Sequence, residues 1–491
     1  MKKSSTGVGA ILVLFLVLSA CGKGNLGGNG QPSASVSVSN ASAQANTYNV
    51  LSSLFKANVA GAVKVQVTYT PENGPSGTTP ELAVTSGEVS VPVLGLMPET
   101  NYTLRLRAVD AGGAGVDSDA VRFRTGALPS TLPVFTVTEQ PGSEPGFTMI
   151  AVLQGIISGS GSSGGARTGP IAGPLIVDHT GQIVWYREAF DGVITDWQKQ
   201  PDGTYTAAIN GIDLGELGYS DTRYFQLDNL GNVLRTHFAI GQWPTDSHEL
   251  RLLSNGDALL MAINMRNMDL TPWGGRPSVA VYGNILERIS STGELLFAWN
   301  ALDRLDIGST DPLILRGLPD ADQLDFTHAN AIDISADGSF LISLRHLSQV
   351  IKVDRSGSIV WRLGGVNSDF EFVDDPLRGF SLQHGVRELA NGNILLFDNG
   401  NGHEPPQSRA VEYRLDLNAR TATLVWQYDA DPPIFGAFMG FTQRLSNGNT
   451  LITYGARALI QEVNRAGQVI WELRGADTDG FYRAIRIPSL Y

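Results

Sequence analysis

Apolar and polar residues alternate with a period of two along much of the chain, the spacing of strands that bury one face. Between about 48 and 127, Val63, Val65, Val67 and Tyr69 point one way, with Lys64, Gln66 and Thr68 the other. Tyr102, Leu104, Leu106 and Ala108 repeat the arrangement, and Val121-Arg122-Phe123-Arg124-Thr125 reads as a closing strand. From about 128 to 491 one phrase recurs, a Gly-led turn followed by an apolar pair and often Trp. It runs Gly181-Gln182-Ile183-Val184-Trp185, Gly231-Asn232-Val233-Leu234, and Gly293-Glu294-Leu295-Leu296 with Trp299 beyond. It returns as Gly357-Ser358-Ile359-Val360-Trp361, Thr423-Leu424-Val425-Trp426 and Gly467-Gln468-Val469-Ile470-Trp471. Five of these six copies follow a second signal, an Asp-Gly or Asn-Gly turn at residues 202–203, 255–256, 337–338, 391–392 and 447–448. Such dipeptides supply the positive φ that tight hairpins need. No long amphipathic pattern interrupts them. Repeats of four short strands every 45 to 67 residues predict a β-propeller, and six closing phrases predict six blades. Solenoid repeats are shorter, about 20 to 30 residues. The predicted class is therefore all-β: a small β-sandwich at 48–127 and a six-bladed β-propeller at 128–491.

Within the sandwich region, Leu96-Met97-Pro98-Glu99-Thr100-Asn101-Tyr102-Thr103-Leu104 resembles the E–F corner of a fibronectin type III or Ig-like domain. That resemblance implies a tyrosine corner, with the Tyr102 hydroxyl bonded to nearby backbone. Upstream, Lys2 and Lys3 precede an apolar run from Val8 to Leu18, and small residues follow. This is the plan of a secretory signal, too short to span a bilayer comfortably. Leu18-Ser19-Ala20-Cys21 resembles the bacterial lipobox, which implies a signal peptide at 1–20 and a lipid on Cys21. Residues 22–47 are rich in Gly, Ser, Asn, Ala and Gln, and 21–47 reads as a flexible tether. The expected location is the cell envelope, at the outer membrane or its periplasmic side. Cys21 is the only cysteine of 491 residues, so no disulfide or thiolate metal site is available. The net charge of -13 becomes -15 once Lys2 and Lys3 leave with the signal. An acidic chain without a basic cluster disfavours nucleic acid as partner; the sequence leaves a homodimer open.

An anionic small substrate would need a local positive pocket, and the repeat predicts one. His248 and His384 each lie eight residues before the glycine of a hairpin turn, and His328 lies ten before Gly338. All three thus fall at the start of a blade's first strand, which lines the axial channel. Arg345 follows the return strand after Asp337-Gly338 and emerges at the same end as His328. Three imidazoles and a guanidinium at one mouth suit a small oxyanion such as sulfate, phosphate or carboxylate. The alternative role for Arg345 is a structural pair with Asp325 or Asp398. His346 and His403 lie near the same face and shape its entrance, while His179 and His237 belong to outer strands and read as exposed. Three histidines could also ligate zinc or copper, but a guanidinium beside a cation is unfavourable and no carboxylate shares the histidine positions. No metal and no cofactor are therefore expected.

The region from about 140 to 491 resembles the bacterial aryl sulfotransferases that use no nucleotide cofactor. The resemblance rests on Ser247-His248-Glu249-Leu250, on Thr327-His328-Ala329-Asn330-Ala331-Ile332, on Ser343-Leu344-Arg345-His346 leading into Val350-Ile351-Lys352-Val353-Asp354, and on Gln383-His384. It implies transfer of a sulfuryl group from a phenolic sulfate ester to another phenol. It also implies His384 as the nucleophile, carrying the group as a sulfohistidine. His248, His328 and Arg345 would bind sulfuryl oxygens and assist proton transfer, with Asn330 and His346 as further substrate-binding groups. The chemistry is coherent in itself: charge gathers on oxygens in the transition state and needs preorganised donors, and a neutral imidazole is an available nucleophile near neutral pH. The Gly/Ser-rich stretch 155–165 lacks the Lys-Ser/Thr ending of a phosphate-cradling loop.

Overall fold

The computed structural model describes residues 35–154, 173–187, 192–213 and 220–491. Cys21, the signal segment and the Gly-rich stretch 155–165 lie outside the described residues. The described chain is all-β, with helix confined to single short turns.

The N-terminal module packs two sheets face to face. One holds Ser37–Ala45, Ser53–Ala60 and Gly87–Val93, and the other is built on Lys64–Pro71 and Asn101–Val109. The alternating residues Phe55, Val65, Val67, Val91, Leu104 and Leu106 form its core. Val63, expected on that face, lies just before its strand and is exposed. Met97 N donates to the Tyr102 hydroxyl at 2.8 Å, tying the corner to the strand that follows it. The module begins earlier than the pattern of large apolar residues suggested. Ser37–Ala45, read as tether, is a strand paired with Ser53–Ala60. Its inward residues are Val38, Ala41 and Ala43, and a left-handed Asn40 shifts the register between the valine and the alanines. Small side chains and that shift hid the alternation. Tyr48 then lies under the Arg187 guanidinium, 3.6 Å from ring to Cζ, and Val50 N donates to Tyr186 Oη, joining the module to the larger unit.

Six sheets of four or five strands follow among the described residues, antiparallel except where Gln323–Asp325 and Glu371–Val373 add in parallel. Their innermost strands are Gly480–Ile487 (sheet 1), Val193–Lys199 (sheet 2), Thr245–Leu252 (sheet 3), Ala329–Ile334 (sheet 4), His384–Glu388 (sheet 5) and Phe441–Arg444 (sheet 6). Each innermost strand touches the next, and that of sheet 6 touches that of sheet 1, so the ring closes. Closure is made twice. The last strand of the chain, Gly480–Ile487, pairs with Phe147–Leu153, and Thr136–Glu139 pairs with Val469–Arg474 of sheet 6.

The repeated phrases have physical counterparts. In the inner hairpins only the glycine is left-handed, at φ 79 to 90° for Gly203, Gly256, Gly338, Gly392 and Gly448, and the Asp or Asn before it is not. Each loop is thus a turn with a bulge glycine rather than a two-residue mirror-image turn. The outer Gly turn receives the tryptophan of the preceding sheet. Trp185 Nε1 donates to Asn229 O beside Gly231, and Trp471 Nε1 donates to His179 O beside Gly181, each at 2.8 Å. The tryptophans therefore fasten each of these sheets to its neighbour.

The inner strands expose unpaired backbone N–H groups toward the axis, which must find acceptors. Side chains of the preceding sheet supply them. Asp196 accepts from Leu250 N, Glu249 from Ile332 N, Asp333 from Glu388 N and Gln443 from Arg486 N, at 2.7 to 2.9 Å. Glu249 also meets Arg387 and Arg483, and Arg483 reaches Asp196 at 2.8 Å. Burial alone would raise the Glu249 carboxyl, but Arg387 and Arg483 outweigh it and hold it down at about 2. Asp196, which shares Arg483, is pushed up by burial. A largely buried, charge-paired network thus joins the inner strands of sheets 1, 2, 3 and 5.

Candidate active site

His248 lies on the innermost strand of sheet 3, His328 immediately before that of sheet 4, and His384 opens that of sheet 5. Arg345 follows strand Phe340–Leu344, and its N–H donates to His328 O at 3.2 Å, so both stand at the same end of sheet 4. The ring centroids of His248 and His328 are 5.0 Å apart, and those of His328 and His346 are 4.5 Å apart. The inner strand of sheet 4, which follows His328, packs against that of sheet 5, which His384 opens, and Arg345, His328 and His248 are all close enough to depress the pKa of His384. The four predicted residues therefore converge. Left-handed, non-glycine backbone concentrates here: His328 has φ 44°, Leu382 50° and Met439 59°. Gly385, at φ 67°, lies where a Cβ would meet the Phe441 ring at 2.6 Å, so the strand opened by His384 requires glycine at its second residue.

Each histidine has a different partner at Nδ1, and the differences set its charge. His384 is buried, and its Nδ1 lies 2.6 Å from Asn399 Oδ1. Burial, then the Arg345 guanidinium, hold it well below the ordinary imidazole range, so it is neutral. His248 Nδ1 lies 2.8 Å from Asp246 Oδ1. Burial opposes its charge, yet Asp246 and, more distantly, Asp325 raise it above the ordinary value. His328 Nδ1 lies 2.5 Å from Asp325 Oδ2, but burial, His248 and Arg345 hold it well below the ordinary value. His346 donates from Nδ1 to Asp325 O at 2.6 Å and accepts at Nε2 from Arg345 Nη1 at 2.8 Å. Burial, opposed by Asp325, pulls it down to about 3.

Some expected roles change. His346 is occupied at both nitrogens and orients Arg345, whose Nη2 donates to Ala437 O at 3.1 Å, instead of presenting a donor to a ligand. Asn330, expected to offer a substrate donor, commits Nδ2 to Gln383 O at 2.7 Å and so ties sheet 4 to the residue before His384. Asp398, proposed as a structural partner for Arg345, is engaged by His403 and Arg409 at 2.8 and 2.9 Å. His237 is buried rather than exposed, because its ring faces Gln226 across the ladder, with Nε2 and Oε1 3.0 Å apart. Burial, then Arg235, lower it to about 4. It lines a cavity of about 690 Å³ on the rim of sheets 2 and 3, well away from the other histidines. A carboxylate does share the histidine positions: Asp325, His328 and His346 offer ligand atoms within 4.8 Å of one another. The Arg345 guanidinium at His346 Nε2 disfavours a cation there.

Sequence reasoning missed Asp246, Asp325 as a histidine partner, Asn284 and Asn399. Asn284 donates to Asp246 Oδ2 at 3.1 Å and accepts from Ala329 N and Thr327 Oγ1, so one buried amide locks the His248 and His328 segments together. The short spacings Asp246-Ser247-His248 and Asp325-Phe326-Thr327-His328 were the available signal for the two carboxylates.

The site thus brings together an imidazole held neutral, one whose basicity is raised and a guanidinium, a set able to receive and pass on an oxyanion group. Residues 231–476, which contain every one of these groups, match the family model of the arylsulfotransferases (ASST). The chain belongs to the arylsulfotransferase family. It is accordingly an enzyme of sulfuryl transfer, with an aryl sulfate as donor and a phenol as acceptor. Solved structures similar to this arylsulfotransferase include a streptogramin B lyase, at 11% identity and a TM-score of 0.37 over 69% of this chain and 87% of that one. A virginiamycin B lyase from Staphylococcus aureus bound to quinupristin gives 10% and 0.35, over 68% and 87%. A puromycin hydrolase gives 16% and 0.32, over 81% and 54%. No curated protein matches.

Proposed function

We propose that the protein moves a sulfuryl group from an aryl sulfate to a phenol in two steps, through a sulfohistidine at His384 and without a nucleotide cofactor. The observation that carries this is the difference in Nδ1 partner between two imidazoles of the site: the uncharged amide of Asn399 at His384, which burial holds well below the ordinary range, and the Asp246 carboxylate at His248, which raises it above that range. Environments that push titratable groups apart assign nucleophile and acid. In the first step the His384 lone pair forms the N–S bond and the S–O(aryl) bond breaks. The departing phenolate takes its electron pair and a proton from His248. In the second step the acceptor phenol returns a proton to His248, its oxygen attacks sulfur, and the N–S electrons go back to the ring. Arg345 faces the sulfuryl oxygens, where charge builds in both transition states, while neutral His328, its Nδ1–H given to Asp325, presents only a lone pair at Nε2.

The wider reading places this site on a six-bladed β-propeller, preceded by a fibronectin type III-like module. A lipid on Cys21 would hold it at the cell envelope, where aryl sulfates arrive and activated nucleotides do not. Incubation with 4-nitrophenyl sulfate, followed by mass spectrometry of the His384 peptide, tests the chemistry. A sulfuryl adduct that His384→Gln abolishes is expected, and absence of both adduct and turnover across several donors overturns it. A second reading, favoured by the cluster of Asp325, His328 and His346, is a metal-dependent hydrolase. That reading predicts a stoichiometric ion in the purified protein and loss of activity on chelation.

A further inference from the structure

Asn399 is fully buried between sheets 5 and 6, at the end of the strand beside His384. Its amide orientation follows from its hydrogen bonds. Nδ2 lies 2.7 Å from Gly436 O and 2.9 Å from Met439 O, and two carbonyl oxygens accept only from N–H. Oδ1 must therefore be the atom 2.6 Å from His384 Nδ1, and an amide oxygen only accepts. The proton of neutral His384 thus sits on Nδ1, and the lone pair sits on Nε2. The Asn399 backbone carbonyl is held in turn by Ser408 Oγ at 2.7 Å. The two carbonyls belong to the segment Gly436–Met439, which also holds Arg345 through Ala437 O.

We propose that Asn399 is a positioning residue for sulfuryl transfer, fixing His384 as the Nδ1–H tautomer so that the group passes to and from Nε2 alone. The assignment rests on the reading of His384 as the nucleophile. An amide is suited to this task where a carboxylate is not. It orients the ring while adding no negative charge, so it leaves the imidazole neutral. Asp246 does the opposite for His248. The charged and titratable groups facing His384 are Arg345, His328 and His248; Asp398, next to Asn399, is turned to Arg409 and His403.

The test separates tautomer from turnover. In the 15N-histidine-labelled full chain, His384 signals are identified by their loss in His384→Gln. Long-range 1H–15N correlation is expected to show a protonated Nδ1 and a bare Nε2 from pH 8 down to pH 6. A proton on Nε2, or a mixture, overturns the proposal whether or not the enzyme turns over. Asn399→Asp keeps the acceptor but adds charge, so the acid limb of kcat/KM should move to higher pH. Asn399→Leu removes the acceptor and should lower kcat by about 10- to 100-fold, a lost buried hydrogen bond, with little change in KM. A loss equal at every pH in Asn399→Asp would mean a structural role and would also overturn the proposal. Should neither donor nor acceptor be turned over while the Nδ1–H tautomer is found, the functional reading fails and the orienting role of Asn399 stands.

Discussion

Replacing Asp246 with Asn tests the division of labour between the two histidines. Asp246 is fully buried and lies 2.8 Å from His248 Nδ1. Taking the two charge centres as about 4 Å apart and an effective dielectric near 20, the attraction is about 4 kcal/mol. Burial of His248 already works against its charge, so loss of Asp246 should drop it below its ordinary value. The amide would also set its Nδ2 against that of Asn284, which now donates to Asp246. That conflict costs about 1 to 3 kcal/mol of stability, within reach of a fold worth about 5 to 15. The assay is kcat/KM against pH for two donors, 4-nitrophenyl sulfate and unsubstituted phenyl sulfate. An electron-poor phenolate leaves without help, whereas phenolate needs the proton. In Asp246→Asn the basic limb should move to lower pH. At pH 8 phenyl sulfate should lose about 10- to 1000-fold, from loss of general acid catalysis, and 4-nitrophenyl sulfate much less. Equal losses for the two donors, with an unmoved basic limb, would refute His248 as the acid.

Arg345→Lys keeps a cation but loses the fork that bonds His346 and Ala437 O while facing the substrate. It should cost about 100-fold in kcat/KM, and an unchanged value would remove Arg345 from the site. Glu249→Gln leaves Arg387 and Arg483 undercompensated, so unfolding by urea should show a loss of about 3 to 5 kcal/mol; an unaltered midpoint would contradict the charge-paired network. His237 and His346 are held at about 4 and about 3, so they are neutral in the folded state and take up protons on unfolding below pH 6.5. Stability should therefore fall as pH drops from 6.5 toward 4, at up to about 1.4 kcal/mol per pH unit for each. His248, raised when folded, slopes the other way, and only near the top of that window. Asp196, pushed up to about 6 by burial, also slopes the other way in that window, so the check is by variant: an acid-side fall left undiminished in His237→Gln would refute the burial of His237 as a neutral group.

How much of this was legible in the sequence depends on the scale of the signal. Strand alternation and turn glycines are local, so the ring repeat, its inner hairpins and the ends at which His248, His328, His384 and Arg345 emerge follow from spacing alone. Ser37–Ala45 escaped because serine and alanine pack a half-buried strand without announcing it. His237 escaped for a related reason: its outer strand turns the ring onto Gln226, and nothing in Val233–His237 says which face the last residue takes. The closure by Gly480–Ile487 is a pairing across more than 320 residues, invisible to any window of sequence.

The site was legible by residue type and illegible by protonation state, and the second matters more for chemistry. For mere capture of a dianion or monoanion, three imidazolium rings beside Arg345 would serve best. The structure does not build that. His384 and His328 are kept neutral, and only His248 carries a carboxylate that outweighs its burial. Asp325 cannot do the same for His328, because it is shared with His346 while His248 and Arg345 stand nearby. A pocket that keeps a lone pair on Nε2 of His384 while raising the basicity of His248 is weaker as an anion trap and better as a relay. The choice is made by Asp246, Asp325 and Asn399, each of which touches a histidine at Nδ1. None of them differs in sequence from the many Asp and Asn residues that cap turns elsewhere in the repeats. Their role is set only by where the ring of sheets brings them.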